Sequence, residues 1–199
     1  MQINIEDRIV VITGPTTTGK RTLAAMLKAT SPVKTTIISH DKIRMGINQN
    51  QTEEEKMAEI SSRLMASMFD ALTNPEINLI IFDIPGIEEK YVSSLLAMIE
   101  LINQYDDDIT IIKTNIPLQI HCELMRSRIK SDPLVATFFH NFDEFYQAAL
   151  KQRRYYESPL GSLNTNFYTR HQYVVSDPKT VTISYGFPEK LKINYSGIK

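Results

Sequence analysis

The feature that most limits what this chain can fold into is a short apolar run, Arg8 to Thr13 (RIVVIT), that stops at Gly14 and leads through Pro15-Thr16-Thr17-Thr18 to Gly19-Lys20. A β-branched run closed by glycine reads as a buried parallel strand. Lys20 to Ala29 follows, with Leu23, Met26 and Leu27 on one helical face, and Ser31-Pro32 ends it. The two glycines therefore stand between a strand and a helix. There they let the backbone curl so that amide hydrogens point inward, and the helix start adds partial positive charge. A loop of this kind holds phosphates, and its lysine reaches the outer phosphates of a triphosphate. Gly14, Thr16, Thr17, Thr18, Gly19, Lys20, Arg21 and Thr22 are the candidate nucleotide-binding residues, with ATP and Mg²⁺ the expected ligands.

The strict pattern places Ser or Thr directly after the lysine, to hold magnesium. Here that position is Arg21, and the hydroxyl comes one residue later, at Thr22. The loop resembles the Gly-Lys-Gly-Thr loop of adenylate-kinase-like enzymes, which also lack a hydroxyl directly after the lysine. That resemblance implies that activity survives the change, with magnesium held by water and by a carboxylate elsewhere. Asp83 is the candidate carboxylate. Asn78-Leu-Ile-Ile-Phe-Asp83 is an apolar strand that delivers an acid to its end, beside the loop, for Mg²⁺ or for the attacking group. Thr22 and Asp83 are the expected metal ligands. The plainer alternatives are a chance glycine turn, and an aspartate that caps the turn at Ile84-Pro85-Gly86.

The rest of the chain alternates in the same rhythm. Thr35 to Ser39, Leu79 to Phe82 and Ile109 to Lys113 read as further strands. Thr52 with Glu55 forms a capping box, opening a helix with Met57, Ile60, Leu64, Met65 and Met68 at helical spacing. Val92, Leu95, Leu96, Ile99 and Ile102 mark another helix, and Asn115 precedes one with Pro117 in its first turn. Asn141 and Glu144 repeat the capping pattern ahead of Phe142, Phe145, Tyr146, Ala149 and Leu150. Strands alternating with helices of this length imply an α/β fold of the P-loop NTPase kind, a parallel sheet flanked by helices. The rhythm breaks after Tyr156. Residues 1–157 read as the P-loop domain; 158–199 read as a linker (SPLGSLNTN, Ser158 to Asn166) and a strand-rich extension packed on the same domain. In that extension Tyr173 to Ser176 and Val181 to Tyr185 flank Asp177-Pro178 like a β-hairpin.

The second strand ends in Ser39-His40-Asp41-Lys42-Ile43-Arg44. Parallel strands bring their C-terminal ends to one rim, so Asp41 should share a cleft with the phosphate loop. Asp41 and Arg44, three residues apart, fall on one face of a short helix. A carboxylate there can accept the proton of an attacking hydroxyl while a guanidinium grips a nearby phosphate. A strand, a P-loop and a second strand ending in Ser-x-Asp-x-x-Arg resemble the kinase domain of the polynucleotide 5′-hydroxyl kinases, over roughly Arg8 to Arg154. The resemblance implies Asp41 as general base and Arg44 as the residue that binds the phosphate beside the acceptor hydroxyl. Related small-molecule kinases and zeta-toxin-like kinases carry a similar aspartate. The family also carries a lid on the helix after the fourth strand, where Arg126 and Arg128 lie. Of these two, Arg126 is the expected catalytic arginine, supplying charge as the γ-phosphate is transferred. The plainer readings are Asp41 as a helix cap and both arginines as solvated side chains. Lys151, Arg153 and Arg154, with Tyr155 and Tyr156, form the strongest local basic cluster.

Composition narrows the rest. With a net charge of −1 the chain is not a binder of long duplex nucleic acid by charge alone, although a pocket for one strand end needs only a few local cations. A single cysteine, Cys122, rules out an intrachain disulfide and fits a reduced, cytoplasmic setting. No segment approaches the roughly 20 apolar residues of a membrane span, and Met1 to Asp7 lacks the pattern of a signal peptide. The expectation is an ATP-dependent phosphotransferase acting on a hydroxyl acceptor, foremost a nucleic-acid 5′ end. A small-molecule or nucleotide kinase and a non-catalytic nucleotide-binding regulatory protein are the alternatives.

Overall fold

The structure is a computed structural model that describes residues 2–48, 50–83, 109–114, 116–132, 135, 139–156, 169–175 and 192–196. Five strands form one all-parallel sheet: β2 (Ile9–Thr13), β3 (Thr35–Ser39), β4 (Leu79–Asp83), β5 (Ile109–Thr114) and β6 (Thr169–Val175), in the spatial order β3-β4-β2-β5-β6. β2 is central, with earlier crossovers going to one side and later ones to the other. The crevice at its C-terminal end is therefore the place where the strand order reverses, which is where open α/β sheets bind ligands. Register brings the strand ends level there: Asp83 stands opposite Ile12 on one side and Ser39 on the other.

The strands read as continuous apolar runs because both faces are covered. Ile9, Val11, Ile80 and Phe82 turn to one face, against Met68, Ala71 and Leu72 of α3 (Glu53–Thr73). Val10, Ile12, Leu79 and Ile81 turn to the other, against Leu23, Ala24 and Leu27 of α1 (Lys20–Thr30). Full burial of each such side chain is worth about 1.5–3 kcal/mol, so this double-faced core dominates the stability. Thr52 and Glu55 do form the capping box that opens α3, with Glu55 N donating to Thr52 Oγ1 (3.2 Å) and Thr52 N to Glu55 Oε2 (2.8 Å). Arg8 closes the other end, its guanidinium donating to the carbonyls of Leu72 and Ile77.

Between β3 and α3 lies the short helix α2 (His40–Met45). After β5 come α4 (Leu118–Ser131) and α5 (Phe142–Tyr156), which pack on each other through Met125, Val135, Phe145 and Ala149. Asn141 Oδ1 accepts from Glu144 N at 2.9 Å, as expected of a cap, but the Glu144 carboxylate turns to His140 N rather than to Asn141.

The C-terminal part adds to the sequence reading. Residues 173–175, expected in the first arm of a hairpin, belong to β6, which pairs in parallel with β5; the second arm lies outside the described residues. β1 (Gln2–Ile5) went unread, as did its parallel partner β7 (Lys192–Tyr195), and together they form a separate two-stranded sheet. Ile3 and Ile5 are buried on the α1 side of the core, and Tyr195 OH donates to Leu27 O at 2.7 Å. The helix expected around Val92 to Ile102, the turn at Ile84-Pro85-Gly86, Asn115, the linker Ser158 to Asn166 and the arm Val181 to Tyr185 lie outside the described residues. Among the described residues, no helix is long and apolar enough to cross a membrane.

Candidate nucleotide site at the phosphate loop

The chain leaves β2 through a turn that needs positive φ three times: Gly14 at 147°, Thr17 at 62° and Gly19 at 88°. Gly14 is also steric. A Cβ there would lie 2.3 Å from Thr114 Oγ1 and 2.4 Å from the Thr114 carbonyl oxygen, so no larger residue fits. Beneath the loop, Thr18 Oγ1 donates to Pro15 O (2.7 Å) and sits 2.5 Å from Thr114 Oγ1. Thr18 is thus a buried strut for the loop, not a face toward the cleft.

Two helices hold the loop from outside. His121 of α4, only 2% exposed, has Nε2 at 2.6 Å from the Thr16 carbonyl oxygen and 3.3 Å from Thr17 Oγ1. Burial pushes its pKa down against the pull of that carbonyl, so the imidazole is neutral and Nε2–H donates to Thr16. From α5, Gln152 Oε1 accepts from Thr16 N at 3.0 Å, and Arg153 donates to Ile116 O at 2.7 Å. Arg153 is therefore engaged in holding the β5–α4 connection.

Lys20 curls back onto the loop it follows. Its Nζ lies 2.8 Å from both the Gly14 and Pro15 carbonyl oxygens. Burial lowers its pKa to about 8, with the carboxylates of Asp83 and Asp41 opposing. Asp83, buried at the end of β4, is shifted the other way: burial raises its carboxyl above the usual range, offset in part by Lys20. Ser39 Oγ donates to Asp83 Oδ2 at 3.3 Å.

Asp41 is engaged by Arg21, whose Nη2 lies 2.8 Å from its Oδ2. Its carboxyl is held well below the ordinary carboxylate range by the neighbouring His40 imidazole and by the charges of Lys20 and Arg21, against burial. The His40 Nδ1 to Asp41 Oδ1 distance of 3.9 Å is too long for a hydrogen bond. Of the two cations, Arg21 is the one in direct contact with the carboxylate.

These groups meet in one cavity of about 360 Å³, the size of small-ligand pockets. Thr16, Thr17, Gly19, Lys20, Arg21, Thr22, Asp41 and Asp83 line one side; Leu124, Ser127, Arg128, Ser131 and Asp132 line the other. The arrangement suits a phosphate chain, with a glycine-shaped cradle, a buried ammonium and two guanidinium groups at its edge. It also suits magnesium. That ion keeps several waters and takes one or two protein oxygens, and Thr22 and Asp83 on the cavity wall are the residues that would hold it.

The expected site residues divide accordingly. Gly14 and Thr18 shape the loop from below. Arg44 and Arg126 are not among the lining residues. The Arg126 guanidinium sits over the Phe142 ring, 5.2 Å from the centroid, while Arg128 lines the cavity with Nε 3.0 Å from Asp132 Oδ2. Residues two apart on a helix point in different directions, so only one of the pair could face the cleft. The sequence held a usable signal, because Leu124, Ser127, Arg128 and Ser131 follow at helical spacing and Arg126 falls outside that stripe. His121 and Gln152 were missed; a lone histidine and a lone glutamine on helices carry no pattern.

No protein-family profile matches the sequence, and no curated protein matches it. Solved structures do. The chain superposes on a structure of the PezAT chromosomal toxin–antitoxin system of the human pathogen Streptococcus pneumoniae with a TM-score of 0.51, at 12% identity, over 88% of this chain and 70% of that one. The chain has the P-loop NTPase fold. A gluconokinase from Sinorhizobium meliloti 1021 matches with a TM-score of 0.47 and 12% identity over 91% of this chain and 89% of that one. A chain of the Pnkp1/Rnl/Hen1 complex matches with a TM-score of 0.46 and 18% identity over 64% of this chain, which spans 40% of that one. At these identities the likeness is one of P-loop fold alone.

Proposed function

We propose that this chain is an ATP-dependent phosphotransferase that moves the γ-phosphate to a hydroxyl acceptor, with a polynucleotide 5′-hydroxyl as the first choice. The observation that carries the reading is the convergence of Lys20, Asp83 and Asp41 on one cavity beside a phosphate-shaped loop. Lys20 exchanges its two loop carbonyls for phosphate oxygens. Thr22 and Asp83 hold Mg²⁺, which supplies charge neutralisation at the phosphates. Asp41 receives the acceptor proton, and Arg128 takes the role expected of Arg126, stabilising charge that spreads in the transition state. Arg44, on α2 beyond the lining, serves only an acceptor that extends past the cavity.

The proposal includes a reduced, cytoplasmic setting and one domain whose 158–199 segment packs on the rest. β6 and β7 both come from that segment and pair with β5 and β1, which supports the packing. Cys122 is a free thiol.

The test is labelled ATP with magnesium, offered a 5′-hydroxyl oligonucleotide, nucleosides, nucleotides and sugars in parallel. Transfer to the oligonucleotide supports the first choice, and transfer only to a small molecule replaces it with a small-molecule or nucleotide kinase. One observation favours a second reading, a nucleotide-binding regulatory protein: Arg21 engages the group that should act as base. ATP binding with no transfer to any acceptor would decide for it.

A further inference from the structure

The cavity wall carries three cations, Lys20, Arg21 and Arg128, and three carboxylates, Asp41, Asp83 and Asp132. Lys20 rests on loop carbonyls and Arg128 on Asp132, one helical turn away on its own element. Arg21 is different. It is the second residue of α1, directly after the phosphate-binding lysine, and it reaches across to the start of α2 for its partner. It joins the nucleotide side of the cleft to the acceptor side.

The contact is also weak. One guanidinium nitrogen meets one carboxylate oxygen at 2.8 Å, and the two side chains are 52% and 38% exposed. Exposed single-contact pairs contribute little and exchange readily. A γ-phosphate arriving beside Lys20 offers Arg21 more charge and more acceptor oxygens than a carboxylate does, in geometry that suits a guanidinium fork. A base held by an arginine is a poor base, because a nearby cation favours the deprotonated form and lowers its proton affinity. Losing Arg21 to the phosphate opens the Asp41 oxygen it covers and removes one of the groups, beside His40 and Lys20, that lower its proton affinity.

We propose that Arg21 is a phosphate-triggered latch: it holds Asp41 while the cleft is empty and leaves it for the triphosphate, so that acceptor chemistry waits for nucleotide. The latch rests on the reading of the cavity as a triphosphate site with Asp41 as base. It gives the residue that replaces the usual hydroxyl a positioning role.

The experiment is a double-mutant cycle on the full chain, titrating a non-hydrolysable ATP analogue with magnesium by calorimetry into wild type, Arg21→Gln, Asp41→Asn and the double variant. Melting curves show that each variant folds. Arg21→Gln should weaken binding roughly ten-fold, as the loss of a charge-assisted phosphate contact does. Asp41→Asn should tighten it about two- to five-fold by removing the competitor for Arg21. That gain should vanish in the Arg21→Gln background. An equal effect of Asp41→Asn with and without Arg21 would overturn the latch while leaving nucleotide binding intact. Absence of binding by wild type would overturn the nucleotide reading itself, and the latch with it.

Discussion

His121 on α4 donates its Nε2 hydrogen to the Thr16 carbonyl oxygen at 2.6 Å, tying the helix that lines one wall of the cavity to the loop that forms the other. The bond is buried, and removing the donor leaves a carbonyl with nothing in its place. His121→Ala should cost about 1–3 kcal/mol of stability by denaturant titration and weaken nucleotide binding by loosening the loop. His121→Gln, which can place an amide donor at a similar reach, should recover much of both. The imidazole also brings a pH dependence. Burial holds its folded pKa below the ordinary 6.5, so the unfolded chain takes up the proton first. The contribution of His121 to stability is complete above pH 6.5 and is lost as pH falls toward its folded value.

Lys20 carries the opposite kind of cost. Its pKa is lowered from 10.5 to about 8, so below pH 8 the fold bears a buried ammonium that the unfolded chain solvates. A shift of this size corresponds to a penalty on the order of 3 kcal/mol. The unfolded state binds the extra proton between the two values, so stability should rise with pH from about 8 to 10.5. Lys20→Met should be more stable than wild type at neutral pH and should lose that rise. Lys20→Ala should fold and bind no triphosphate. In wild type, affinity should hold steady below pH 8 and decline above it, because phosphate requires the protonated amine. Calorimetry at a series of pH values reads all three.

The lid arginines give a prediction that separates geometry from sequence position. Arg128→Ala should lower turnover about 10²- to 10³-fold, the usual effect of removing one preorganised transition-state donor. Arg126→Ala should leave turnover near wild type, since that side chain is spent on Phe142. Steady-state rates of phosphate transfer on the two variants check it.

The sheet and the loop were legible because each depends on local pattern. Buried parallel strands are unbroken apolar runs, and a phosphate loop needs glycine at fixed places between strand and helix. Asp41 and Asp83 followed from topology, since parallel strands end on one rim. What stayed hidden depends on partners distant in sequence. β1 and β7 are short segments, QINI and KINY, whose alternation is clear only once they are set beside each other. The pairing of β6 with β5 was not visible, because β5 is far upstream in the sequence. The Arg21–Asp41 pair joins two motifs that were each legible alone, and neither one signals the other. That Arg128 and not Arg126 lines the cavity was readable only by following the helix phase through Leu124, Ser127 and Ser131.

The central claim is that Asp41 is the base of a phosphotransferase and not merely an acid in the first turn of α2, whose N-cap is Ser39. Asparagine matches aspartate in size and shape, and Asp41 is a partly exposed first-turn residue of α2, so Asp41→Asn should keep the fold and still bind ATP. A general base contributes about 10² to 10⁴ in rate, and the substitution should reduce transfer by that order. The direct measurement is transfer of labelled γ-phosphate from ATP to a 5′-hydroxyl oligonucleotide and to a small-molecule panel, wild type against Asp41→Asn. The account predicts transfer by wild type to at least one acceptor and a collapse of that rate in the variant. Equal rates in the two proteins, or ATP binding by wild type with no transfer to any acceptor, would contradict it.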